Sequence, residues 1–362
     1  MSSVTLTEPD RPAPPPAAPP VPAPPRPTAP PPTLADVAAL AGVSQATASR
    51  VVNNSARVSG EAREQVESAI ARLGYVPRRT AAPAPDRSEH QGSIAMVVAG
   101  SSARYFSVPF FTRLLEGATE TLSAAGFQLS FLAVHNQGEY GSAGHYLRRG
   151  GVDGVLLVSA HGQERLLPAL RACALPVVVC GRPLTPGGTC YVAADNAGGA
   201  QAAVDHLLAA GRTRVATIAG PRDLTAGIDR LAGYRAALSA AARPGLVASG
   251  DFSLASGEYA MAGLLDRCPD LDAVFAASDL MAVGALRALR RAGRRVPEDV
   301  AVVGFDDDPV ARHTLPPLTT VRQPVEEQGT ALARRVLALI GQDGAVPEQQ
   351  ELPTSLVRRE SA

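Results

Sequence analysis

The chain has 362 residues, and its 34 basic and 34 acidic side chains leave no formal net charge. Every basic residue is arginine; with no lysine there is no Schiff-base enzyme of the pyridoxal type and no P-loop lysine on a nucleotide phosphate. The length allows two or three domains, and zero net charge means that any nucleic-acid binding must come from a local surface.

Residues 1–32 hold 14 of the 32 prolines. Such a segment can build neither helix nor sheet, so it is expected to be a disordered, Pro-rich tail. From Thr33 the pattern changes to short helical segments that run to Pro77. Residues 78–92 contain Pro83 and Pro85 and read as a linker or hinge. From residue 93 to 362, short apolar runs alternate with helical patterns. The runs include Ile94–Val98, Leu129–Val134, Val155–Val158, Val177–Cys180, Val215–Ala219, Ala273–Ala276 and Val300–Phe305. This β-α-β-α order implies parallel sheets covered by helices, and about 270 residues is long for one sheet, so two stacked α/β lobes are expected.

The segment after the tail has a specific form. Thr33 and Asp36 are spaced as a capping box that opens a short helix. Gly42 breaks it, and Ser44 caps a second helix. On that helix Ala48, Val51 and Val52 share an apolar face, with Gln45, Ala46, Ser49 and Arg50 opposite. A third helix, from near Ser59 to Leu73, would close a small core with Val66, Ala69 and Ile70. Helix, glycine turn and a second helix with a polar outer stripe is a helix-turn-helix arrangement. Gln and Arg on that stripe can hydrogen-bond base edges in the major groove. Period alone also allows a plain helical bundle with a solvated face. Residues 33–80 carry six arginines against four acids, a slight excess of +2.

The run TLADVAALAGVSQATASRVVNNSARVSGEAREQVESAIARLGYVP (33–77) closely resembles the DNA-binding headpiece of the lac/galactose repressor family. The remainder resembles that family's effector core, through VPFF (108–111), GVDGVLLVS (151–159), RLAGYRAAL (230–238), SDLMAVGALRAL (278–289), RVPEDVAVVGFDD (295–307) and PPLTTVRQP (316–324). The resemblance implies a small all-α helix-turn-helix domain followed by an α/β core of two Rossmann-like lobes, similar to periplasmic binding proteins. It implies a ligand-responsive DNA-binding regulator, a repressor of carbohydrate uptake or catabolism genes. Its partners would be a near-palindromic double-stranded operator, a sugar-like effector in the interlobe cleft, and a second copy in a homodimer, with a tetramer as the larger form. On the family pattern Gln45, Ala46 and Arg50 take base-reading positions, and Thr47, Ser49, Asn53 and Ser59 take phosphate positions.

The hinge departs from the family pattern. Where the family carries a short helix with a leucine that wedges into the minor groove, this chain has Ala84 between Pro83 and Pro85. Both prolines oppose a helix there, and a methyl group is a poor wedge. Less operator bending is therefore expected, with Arg78 and Arg79 as the DNA contacts of the hinge.

Sugars need paired donors and acceptors and an aromatic face. Loops after predicted strands offer Asp195 and Asn196, Ser278 and Asp279, and Asp306. Each acid could equally be a helix cap. By resemblance Asp306 and Gln323 match effector positions, Phe252 matches a stacking aromatic, and Phe110 and Phe111 fall in the cleft-lining segment. The position expected to hold an effector-binding arginine, five residues before Gly233, is Ile228; Asp229 beside it could take a polar role. Loss of that fork-shaped donor favours a neutral sugar over an anionic ligand.

Catalysis and cofactors are not expected. There is no H-E-x-x-H or G-x-S-x-G motif, and the six histidines show no metal-ligand spacing. The four cysteines form no C-x-x-C pair and are expected to be buried thiols. No apolar window approaches the ~18 residues of a membrane span, and no secretory signal is evident, so a cytoplasmic location is expected. The alternative is the solute-binding module of a sugar uptake system, which the core alone would allow.

Overall fold

The computed structural model describes residues 33–52, 58–73, 92–99, 109–149, 151–159, 163–185, 187–238, 246–341 and 349–362. They fall into two compact units that divide after Pro85. The expected tail, Asn53, the hinge with Arg78, Arg79 and Ala84, and most of the linker lie outside the described residues.

The first unit is a three-helix bundle: α1 (Leu34–Ala41), α2 (Gln45–Val52) and α3 (Gly60–Leu73). The capping box forms, with Asp36 N donating to Thr33 Oγ1 at 3.3 Å and Thr33 N donating to Asp36 Oδ2 at 2.7 Å. The Thr33 hydroxyl, donating to Asp36 Oδ2 at 2.7 Å, and then the Thr33 backbone N hold the Asp36 carboxyl below its ordinary pKa. Gly42 takes the left-handed conformation, φ 64°, that ends α1. Val37, Ala38, Ala48, Val51, Val66 and Ala69 are buried together, and Ile70 and Leu73 pack at their edge.

The second unit contains two six-stranded sheets. Lobe 1 has strand order β11-β5-β4-β3-β1-β2 and lobe 2 has β12-β10-β9-β8-β6-β7. In lobe 1 these are β1 (Gly92–Ala99), β2 (Phe127–Val134), β3 (Gly154–Ser159), β4 (Val177–Cys180), β5 (Cys190–Ala194) and β11 (Gln349–Leu352). In lobe 2 they are β6 (Val215–Ala219), β7 (Val247–Ser249), β8 (Ala273–Ala276), β9 (Ala301–Asp306), β10 (Thr319–Arg322) and β12 (Ser355–Val357). All pairings are parallel except β10 with β12. The central strands read as continuous apolar runs because both sheet faces are covered; β6 and β8 are buried along their whole length.

The helices of lobe 1 are α4 (Pro109–Ala124), α5 (Tyr140–Arg149) and α6 (Gln163–Arg171). Those of lobe 2 are α7 (Asn196–Ala209), α8 (Thr225–Leu238), α9 (Leu254–Arg267) and α10 (Asp279–Arg291). The last helix, α11 (Val325–Gly341), returns to lobe 1 and packs along α4. The chain therefore crosses between lobes three times, after β5, after β10 and after β11. Two crossings are tied by Asp195 N donating to Leu352 O at 2.8 Å.

Candidate functional site

On the first unit, α2 presents Gln45, Ala46 and Arg50 to solvent, while Thr47 and Ser49 are half-buried. Ser44 caps the helix by accepting from Thr47 N at 3.1 Å. Ala48 and Val51 face the core, so the outward stripe is fixed in rotation by the packing behind it. Ser59 is exposed and accepts from Ala62 N at 3.4 Å at the start of α3.

The second site lies where the carboxyl ends of the lobe 2 strands meet the interlobe crossings. Its centre is Arg230, which projects from α8 and is 5 % exposed. Its Nε donates to Asn196 Oδ1 at 2.8 Å, and its Nη1 donates to Ala277 O at 2.6 Å and to Asp306 Oδ1 at 3.2 Å. Its guanidinium lies 3.7 Å from the ring centroid of Phe305 and 5.7 Å from that of Phe252. Gln323 Nε2 donates to the same Asp306 oxygen at 2.5 Å. Four strand ends, β5, β8, β9 and β10, thus converge on one guanidinium and one carboxylate. Burial pushes the Asp306 carboxyl upward, opposed by the charge of Arg230 and the hydrogen bonds from Gln323 and Arg230.

Backbone geometry aims these groups. Asp306 and Asp307 both have positive φ, 121° and 52°, as does Phe252 at 67°. Non-glycine residues in that region cluster at functional sites because the strain must be held by surrounding contacts. Here Asp307 is held by Arg322 Nε at 2.7 Å and by Arg359 from the C-terminal segment. Burial acts to raise the Asp307 carboxyl, yet the hydrogen bonds from Arg359 and Arg322 keep it below its ordinary pKa. Gly220 lets the Phe252 ring approach the backbone, since a Cβ there would lie 2.4 Å from the ring.

A second layer of acid sits behind Asp306. Asp279 is wholly buried; its carboxylate accepts from Thr320 Oγ1 at 2.6 Å and from Asp308 N at 2.8 Å. Burial and the nearby Asp306 charge push Asp279 well above its ordinary value. Asp308, 1 % exposed, is pushed to about 7 by burial first and then by Asp306, against the pull of Arg113 and Arg230.

Of the residues expected to line the cleft, Asn196, Asp306 and Gln323 join one network, and Phe252 faces its guanidinium. Phe110 and Phe111, at the start of α4, meet edge to face with centroids 5.4 Å apart. Others are engaged elsewhere. Asp195 caps α7 by accepting from Gly198 N at 2.7 Å, and Ser278 caps α10 by accepting from Met281 N at 3.3 Å. Asp279 is turned inward. Asp229 accepts from Arg182 Nη2 at 2.6 Å, an ion pair from the loop after β4 in lobe 1 to α8 in lobe 2.

The expected loss of a fork-shaped donor needs correction. Ile228 is on the surface of α8, 36 % exposed, and the fork belongs to Arg230, three residues before Gly233 rather than five. The signal was present as the first residue of RLAGYRAAL. Two residues, about half a helical turn, separate an exposed residue from one at the centre of the site.

Among the described residues no group of His, Cys, Asp and Glu could hold a metal ion, and no helix is long and apolar enough to cross a membrane.

Comparison with known proteins adds to this geometry. Residues 33–78 match the family model for bacterial regulatory proteins of the lacI family, and residues 204–362 match a periplasmic binding protein-like domain. The HTH-type transcriptional regulator CelR of Thermobifida fusca is 47 % identical over 330 residues, which cover 90 % of this chain and 96 % of that protein. This chain belongs to the lacI family of bacterial regulatory proteins. Solved structures of other lacI-family members share its fold. A transcriptional regulator CelR–cellobiose complex has a TM-score of 0.73 and 46 % identity, covering 91 % of this chain and all of that one. The lac repressor dimer bound to operator and the anti-inducer ONPF has a TM-score of 0.67 and 32 % identity, covering 91 % of this chain and 99 % of that one. This lacI-family chain is a DNA-binding transcriptional regulator with a small-molecule-binding core. The alternative of a solute-binding module does not fit, because the matched relative is a regulator and the headpiece segment is matched with the core.

Proposed function

We propose that this regulator is a repressor of carbohydrate uptake or catabolism genes whose effector is a neutral gluco-oligosaccharide of the cellobiose class. The observation that carries the reading is the Arg230–Asp306–Gln323–Asn196 network at the strand ends. It combines a fork donor, a carboxylate and two carboxamides beside the face of Phe252, which suits adjacent hydroxyls and an apolar sugar surface. The likeness to a regulator solved with cellobiose supports the choice of sugar. Asp306, Gln323, Asn196, Phe252, Phe110 and Phe111 are the proposed effector contacts, with Arg230 added. Gln45, Ala46 and Arg50 are the proposed base readers, with Thr47, Ser49, Asn53, Ser59, Arg78 and Arg79 on phosphates and in the groove. The operator is near-palindromic and the protein binds it as a homodimer. Coupling requires the sugar to prefer one lobe geometry, and typically amounts to ~1–3 kcal/mol. Calorimetric titration with cellobiose, glucose 6-phosphate and ribose tests this: cellobiose should bind and glucose 6-phosphate should not. Selective binding of the phosphorylated sugar would overturn the reading.

A further inference from the structure

Arg113 divides its guanidinium between the two lobes. It stands on α4 in lobe 1, where Nε and Nη2 donate to the two carboxylate oxygens of Glu326 on α11, at 2.7 and 2.9 Å. That bidentate grip is within lobe 1 and leaves Nη1 outside it. Nη1 points across the cleft: it lies 3.5 Å from the Asp306 carbonyl oxygen and 4.0 Å from Asp308 Oδ1, both in lobe 2. Among the described residues Asp308 Oδ1 is buried and has no hydrogen-bond partner. An unsatisfied buried carboxylate oxygen is costly, and a charge-assisted N–H···O bond wants about 2.7–2.9 Å. The pair is therefore roughly one ångström short of contact across the two lobes.

A second interlobe pair is already formed. Arg182 of lobe 1 holds Asp229 of lobe 2 at 2.6 Å. In both cross-cleft pairs the arginine belongs to lobe 1 and the acid to lobe 2, and a shift of roughly one ångström at the open pair would bring Arg113 onto Asp308. Asp308 lies two residues after Asp306, which the proposed sugar would touch, so the closing contact and the ligand network share one loop.

We propose that Arg113 and Asp308 form an interlobe latch that closes when effector binds, and that Arg113 acts as a positioning residue for the effector response without contacting the sugar. Glu326 holds the arginine at the angle that directs Nη1 at lobe 2. A lysine could not serve, because one ammonium cannot grip Glu326 twice and reach the other lobe as well.

The test is a double-mutant cycle on the full chain, read by calorimetry with cellobiose, and in that respect it rests on the proposed effector class. Arg113→Gln and Asp308→Asn should each weaken cellobiose about tenfold, and the double variant should be no weaker than either single one. If Asp308→Asn leaves affinity unchanged, or the two losses multiply to about a hundredfold, the latch is wrong. An Arg113→Gln loss that Glu326→Gln reproduces in full, with no coupling to Asp308, would mean that Arg113 serves only to pack α4 on α11. Should wild type not bind cellobiose, the effector assignment fails and the same cycle is run with whichever of ribose or glucose 6-phosphate binds. Losses that multiply there, or binding of none of the three sugars, overturn the proposal.

Discussion

At the scale of single residues, Arg230 concentrates the energetics of the core. It is buried against two aromatic rings and bonded to Asn196, Ala277 and Asp306. Truncating it leaves the Asp306 carboxylate buried without its cation, and breaking such a pair costs about 3–5 kcal/mol. Arg230→Ala should lower the midpoint of thermal unfolding and abolish cellobiose binding in calorimetry. Arg230→Lys should not restore binding, since an ammonium cannot present two separate edges to Asn196 and Asp306. Asp308 gives a pH signature. Its folded pKa, about 7, lies above the usual carboxylate value, so its contribution to stability is fully present below the unfolded pKa and is lost as pH rises through 7. The groups facing it are Asp306, Asp307, Arg113, Arg230 and Asp279. Denaturant unfolding of wild type and Asp308→Asn from pH 5 to pH 8 should show wild type losing ground to the variant as pH rises; a constant difference would contradict this. Residue roles were unevenly legible in the sequence. The Thr33–Asp36 capping box and the Gly42 turn are local, and their spacing shows them. Arg230 acquires its role from Asn196, Ala277, Phe305 and Asp306, which come from three other places in the chain, and no spacing rule on α8 reports them.

At the scale of elements, the apolar runs announce β1, β3, β4, β6, β8 and β9 because strands buried on both faces need them, and they announce β2 although it is a half-buried edge strand. The strands β7, β10, β11 and β12 carry weaker signals. β10 buries Thr319 and Thr320 through side-chain hydrogen bonds, and β11 is the polar edge run QQEL. Yet β10 and β11 lead two of the three interlobe crossings, so the two-lobe architecture was legible while the return path was not. On α2 the exposed stripe is the proposed reader of the operator sequence. Arg50→Ala should cost roughly 1–3 kcal/mol and relax preference at one operator position. Binding across a set of point-mutated operators measures this, and an equal loss on every sequence would make Arg50 a phosphate contact. The hinge residues Pro83, Ala84 and Pro85 fall outside the described residues, and their chemistry predicts a shallow bend. A gel-mobility phasing assay should find little central kink, and a strong kink would contradict that reading.

At the scale of the whole molecule, zero net charge conceals a headpiece of +2. With so slight an excess, the proposed homodimer should owe its operator affinity to a few arginine contacts, with weak nonspecific binding that falls further as salt rises. The core supplies the other half of the response, since a ligand that prefers one lobe geometry shifts the equilibrium only by its differential affinity. The most direct measurement of that coupling is a fluorescence-anisotropy titration of the full chain against a duplex selected from a random library, with and without saturating cellobiose at fixed salt. A 5- to 150-fold change in apparent Kd, corresponding to ~1–3 kcal/mol of coupling and absent in Arg230→Ala, is the predicted result. Operator affinity that cellobiose leaves unchanged, while calorimetry shows it bound to the core, would contradict the account.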